Sequence, residues 1–102
     1  MSENLLNLVN TIRERKNKDK DKSYTSSLLS GGLSKCIDKM EEEFGEFKEA
    51  LNDKSNEVHE AADTIYHILV TLEAANIKFE DVLQELENRK NQSGIEEKNN
   101  RK

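Results

Sequence analysis

From Glu60 to Leu72 the chain reads Glu-Ala-Ala-Asp-Thr-Ile-Tyr-His-Ile-Leu-Val-Thr-Leu. Wound as a helix, this stretch is apolar on nearly all sides, and a helix of that kind has to be covered. Advancing about 100° per residue, Val58, Ala62, Ile65, Leu69 and Leu72 form one stripe. Glu60, Asp63 and His67 fall on roughly the opposite side. These carboxylates therefore belong to a helix expected to be enclosed on both faces. An isolated charge in such a place is costly, so it is normally paired or bound to metal. A structural salt bridge and a cation site are the two readings left open.

A second acidic segment, Glu41-Glu42-Glu43-Phe44-Gly45-Glu46, lies upstream. Ile37, Met40, Phe44, Phe47 and Leu51 recur at spacings of three and four, which predicts a helix over 33–52 with one apolar stripe. Glu43 lies at one flank of that stripe, Glu46 further round, and Glu42 and Glu49 point away. Asn52-Asp53-Lys54-Ser55-Asn56 is a turn rich in capping residues. So short a connection makes the flanking helices antiparallel neighbours. Glu43, Glu46, Glu60 and Asp63 then reach similar depth, with Glu42 a less certain fifth member. Like charges gathered around one point need a cation, and oxygen ligands without Cys or His favour Mg²⁺ or Mn²⁺ over zinc. Taken alone, the upstream run reads equally well as a solvated charge cluster.

The remaining periodicity is helical too. Leu5, Leu6, Leu8, Val9 and Ile12 predict a first helix over 3–15, with Leu5, Leu8, Val9 and Ile12 on one face. A short helix follows Ser23-Tyr24-Thr25 and stops at Gly31-Gly32. Another runs from about Glu57 to Ala75, with Asn76 as a left-handed stop, and a fifth begins at Phe79. The sequence has 102 residues, no proline and four glycines; 36% of its residues are charged and 33% hydrophobic. The fold expected is an all-α antiparallel bundle of about four to five helices over residues 1–87, followed by a polar tail, 88–102. The core of one copy is thin for this length, so a homodimer is expected. A net charge of −5 leaves no general basic field for nucleic acid. The basic run Arg13 to Lys22 is a local exception, suited to drawing in phosphates. Cys36 is the only cysteine, so no internal disulfide forms. The apolar runs are too short to span a membrane and no secretory signal is evident, so a cytoplasmic address is expected.

Taken together, these residues resemble the phosphoribosyl-ATP pyrophosphohydrolase family, within the MazG-like all-α nucleotide pyrophosphohydrolases. The wider group is marked by Glu-Glu-x-x-Glu followed by Glu-x-x-Asp, here Glu42-Glu43-Phe44-Gly45-Glu46 and Glu60-Ala61-Ala62-Asp63. Arg15-Lys16, Ser23-Tyr24-Thr25 with Gly32-Leu33 and Lys35, the stretch Glu60 to Val70, and Ser93-Gly94-Ile95-Glu96-Glu97-Lys98 resemble the histidine-biosynthesis enzymes in particular. The likeness departs at Glu41, where the family has glycine, and at Phe44, where it has alanine. The usual Pro-Glu-Gly before Ser23 is also missing.

The resemblance implies Mg²⁺-dependent hydrolysis of phosphoribosyl-ATP to phosphoribosyl-AMP and pyrophosphate. It implies Glu43, Glu46, Glu60 and Asp63 as metal ligands, with Glu42 as a further ligand or the general base alongside Glu43. Arg15, Lys16, Lys39, Lys98 and Arg101 are candidates for phosphate contacts, and surface solvation is the alternative for each. Tyr24 is a candidate substrate contact by stacking on a base, although packing in the core is the commoner fate of a tyrosine. Lys39 is placed to meet a phosphate or to pair with Glu43. His67 is expected to pack or hydrogen bond. A phosphoribosyl-AMP cyclohydrolase is a possible partner. The rival readings are a house-cleaning nucleoside triphosphate pyrophosphohydrolase and a non-catalytic helical interaction module.

Overall fold

The computed structural model describes residues 2–16, 18 and 23–90. α1 (Ser2–Arg15) turns Val9 and Ile12 inward, with Leu5 and Leu6 packed beside them. Leu8, expected on the same face, stays exposed. α2 (Tyr24–Ser30) begins where the Ser23 hydroxyl accepts the Ser26 amide at 2.9 Å. It ends at Gly31. Gly32 has φ +89°, a left-handed conformation that glycine alone adopts cheaply, and α3 (Leu33–Asp53) starts directly after it.

α3 and α4 (Glu57–Ala74) form the hairpin on which the rest is built. Lys54 and Asn56 take positive φ in the intervening turn. The Ser55 amide donates back to the Ala50 carbonyl, closing the end of α3. α4 closes in the same manner at Asn76, as the sequence suggests. Asn76 has φ +60°, its amide donates to Glu73 and the Ile77 amide to Leu72. α5 (Phe79–Lys90) then runs back, three residues past the tail boundary placed at 87.

The core gathers Val9, Ile12, Leu28, Leu29, Cys36, Leu69, Val70 and Phe79 from all five helices. It covers only part of what periodicity marks as apolar. Along the α4 stripe Leu69 is buried, but Val58 is 86% and Ile65 51% exposed and Ala62 is open too. Along α3, Ile37, Phe44 and Leu51 remain exposed. A single chain leaves part of α4 open, and the expectation of cover on both faces rests on a second copy. Within one chain α2 and α3 pack against the side carrying His67, with Glu60 and Asp63 half-buried, and the first half of the opposite stripe faces outward. Among the described residues no helix is long and apolar enough to cross a membrane.

Candidate active site

Two threonines set the register of the hairpin. Thr64 Oγ1 donates across the seam to the Glu43 carbonyl at 3.2 Å, and Thr71 Oγ1 to the Cys36 carbonyl at 3.3 Å. Each hydroxyl shares its one proton with the carbonyl one turn back on α4, Glu60 at 2.8 Å and His67 at 2.7 Å. This brings the two acidic segments level. Their ligand atoms gather as two triads, Glu42–Glu43–Glu46 on α3 and His59–Glu60–Asp63 on α4, each with its atoms within 4.8 Å of one another. His59 Nε2 sits 3.2 Å from Asp63 Oδ2, a nitrogen the sequence did not single out.

The triads feel each other. Loss of hydration pushes the Glu43 carboxyl above its usual range, and the charges of Glu46 and Asp63 add to that rise, while an imidazolium at His67 would oppose it. On α4, Glu60 Oε1 is buried with no hydrogen-bond partner. An orphaned carboxylate oxygen inside an acidic cluster is an expensive arrangement unless a cation completes it. The donors are oxygens with one imidazole nitrogen at the edge, a set that fits Mg²⁺ or Mn²⁺.

Next to the α3 triad stands an aromatic group. His67 is buried, and its Nδ1 lies 2.8 Å from the Asp63 carbonyl, which can only accept. In the neutral ring Nε2 is therefore the acceptor, and the Tyr24 hydroxyl donates to it at 3.1 Å. One residue on, Thr25 and Tyr66 hydrogen bond through their hydroxyls, so α2 is fastened to α4 twice. Tyr24 lies over Tyr66 with centroids 6.4 Å apart and planes inclined by 19°. Tyr24 is 56% exposed, contrary to the commoner expectation of core packing. That partial burial raises the phenol pKa, Lys39 opposes the rise and Glu43 adds to it, which puts Tyr24 within reach of the α3 acids.

The cations divide. Lys39 Nζ pairs with Glu42 at 3.4 Å rather than with Glu43. Arg15 makes no ion pair among the described residues, and its carbonyl accepts from Ser26 Oγ. Lys16 is committed elsewhere. It donates to the Glu73 carbonyl and Asn76 Oδ1 and pairs with the Glu73 carboxylate at 3.4 Å. Glu73 lies about 15 Å along α4 from Asp63, so Lys16 acts as a clasp on the α4 C-terminus, apart from the acids. Arg13 completes this corner with Glu80 and Glu73. A hollow of about 670 Å³ opens beside it, but its walls include none of the acidic-segment residues. Lys98 and Arg101 lie outside the described residues.

Residues 5–90 match the phosphoribosyl-ATP pyrophosphohydrolase family. The chain belongs to that family. A phosphoribosyl-ATP pyrophosphatase of Paracoccus denitrificans is 43% identical over 93% of this chain and 90% of its own length. One from Roseobacter denitrificans is 45% identical over 92% and 91%. The histidine biosynthesis bifunctional protein HisIE of Helicobacter hepaticus is 46% identical over 93% of this chain, but over only 42% of its own length. For a phosphoribosyl-ATP pyrophosphohydrolase, Glu41 and Phe44 are the departures that bear on packing. Both side chains are exposed, so neither intrudes on the acidic seam.

Proposed function

We propose that this chain hydrolyses phosphoribosyl-ATP to phosphoribosyl-AMP and pyrophosphate, the second step of histidine biosynthesis, with a divalent cation at the α3–α4 seam. The family match across residues 5–90 carries the activity. The partnerless Glu60 oxygen supports the cation. Glu43, Glu46, Glu60 and Asp63 would hold Mg²⁺, with Mn²⁺ as a substitute. When bound, the ion neutralises phosphate charge and makes water more acidic. Glu42, on the solvent side of its triad, takes the proton from the attacking water. Attack in line at the α-phosphorus breaks its bond to the bridging oxygen, and pyrophosphate leaves. Lys39 exchanges its contact with Glu42 for a phosphate oxygen, and Arg15, Lys98 and Arg101 supply further positive charge.

Two wider readings go with this one. The exposed Ile37, Phe44, Leu51, Val58 and Ile65 favour a homodimer built on the α3–α4 hairpin, because a stable monomer rarely leaves so much apolar surface bare. A phosphoribosyl-AMP cyclohydrolase is the natural partner, since it would consume the product. A relative that is a bifunctional histidine-biosynthesis protein supports this. A cytoplasmic address follows from the same chemistry.

Measuring pyrophosphate release from phosphoribosyl-ATP, with Mg²⁺ and with excess chelator, tests the proposal. Release that depends on the metal supports it. Equal turnover of ordinary nucleoside triphosphates would replace it with a house-cleaning activity, and no release from any nucleotide would end it.

A further inference from the structure

We infer that the exposed face of Tyr24 is the platform on which the purine of the substrate stacks, and that His67 is the residue that positions it. This rests on the nucleotide hydrolase reading above and adds a base subsite to a phosphate site. A tyrosine 56% exposed would ordinarily be free to swing, yet this one is held at three points. Its hydroxyl donates to His67, its ring lies over Tyr66, and its backbone follows the Ser23 cap of α2. His67 also meets the Tyr24 ring edge-on, with centroids 5.9 Å apart. The acceptor nitrogen is itself fixed, because the other ring nitrogen is tied to the Asp63 carbonyl. One side chain therefore links the backbone of a candidate metal ligand to the aromatic ring. Immobilising the ring beforehand lowers the ordering cost of stacking a base on it. The neighbouring charges fit a nucleotide, since Lys39 and the α3 acids lie within electrostatic reach of the same phenol.

The test compares phosphoribosyl-ATP with inorganic tripolyphosphate, which carries phosphates and no base. Tyr24→Ala is expected to raise KM for phosphoribosyl-ATP about 5- to 150-fold, the range of base–aromatic stacking. Inhibition by tripolyphosphate and Mg²⁺ binding stay unchanged. Tyr24→Phe keeps the ring but loses its tether, so KM rises less and kcat holds. His67 is separated by two amides. Asn reaches the position of Nδ1 only and should reproduce Tyr24→Phe. Gln reaches the position of Nε2, restores an acceptor and should recover most of the wild-type KM. Equal losses for both ligands in Tyr24→Ala overturn the inference, as does a change of oligomeric state, which would make the ring a subunit contact. If the wild type does not cleave phosphoribosyl-ATP, the functional reading falls first. Titration with ATP against tripolyphosphate then still decides on stacking, and equal affinities reject it.

Discussion

The hydroxyl of Thr64 donates to the main-chain carbonyl of Glu43 across the α3–α4 seam, at 3.2 Å. Seven residues along each helix, in opposite directions, Thr71 does the same to Cys36. Antiparallel helices packed by apolar side chains can slide by a turn at modest cost. Two polar fasteners at matched spacing oppose that slip and hold Glu43 level with Asp63. Thr64→Val keeps the shape and removes the bond. Stability should fall by about 1 kcal/mol, seen in urea unfolding, and Mg²⁺ should bind more weakly in calorimetry. Weakened metal binding with unchanged stability would also fit a role in register; no change in either would contradict it.

Glu60 should oppose folding when metal is absent and favour it when metal is present. Its buried oxygen lacks a partner, and the Asp63 carboxylate lies beside it. Glu60→Gln is expected to raise the melting temperature in chelator and to remove most of the rise that Mg²⁺ gives the wild type. Activity should drop about 10- to 100-fold, the cost of losing a group that orders a metal site. Calorimetric scans of both proteins, with and without Mg²⁺, make the comparison.

The Arg13–Glu80 pair gives a pH dependence with a definite sign. Its hydrogen bonds to Arg13 hold the Glu80 carboxyl down at about 2. A carboxyl depressed on folding contributes stability that is fully present above its unfolded pKa and is lost as pH falls toward the folded value. The stability difference between wild type and Glu80→Gln should therefore be flat above about pH 5 and shrink between there and pH 2. Denaturant titrations across that window measure it. A difference that grew on acidification would reverse the assignment.

Charge placed on the outward stripe should separate the subunits. Val58 and Ile65 lie seven residues apart on α4 with most of their surface in water. Ile65→Asp is expected to yield a monomer in sedimentation analysis, with helix content retained. A wild type that sediments as a monomer at working concentration would remove the basis for the proposed dimer.

Periodicity located the helices because residues three and four apart must share a side, whatever covers that side. It could not tell which cover comes from the same chain. Ile37, Phe44 and Leu51 share one apolar stripe by spacing, and a single chain leaves them exposed. The acidic motifs were legible as pairs on neighbouring helices, since the short turn after Asp53 leaves little freedom in how the helices meet. Their division into two triads depends on side-chain rotamers, which spacing does not encode. Lys16 reads as a phosphate contact from its place in a basic run; that it also caps the Glu73 carbonyl, 57 residues away, depends on how α1 meets α4, which local charge does not encode. Thr64 and Thr71 carried no signal, because a threonine in a helix usually bonds only its own preceding turn.

The turn at residues 54–56 has a consequence for how the protein assembles. All four proposed ligands lie on the two helices it joins, so the grip on an ion needs no contact between distant parts of the chain. Such near-neighbour contacts close quickly. The hairpin can take shape while α1 and α5 are still unattached, because the ion pairs of α1 with α4 and α5 lie at the far end of α4, apart from the acids.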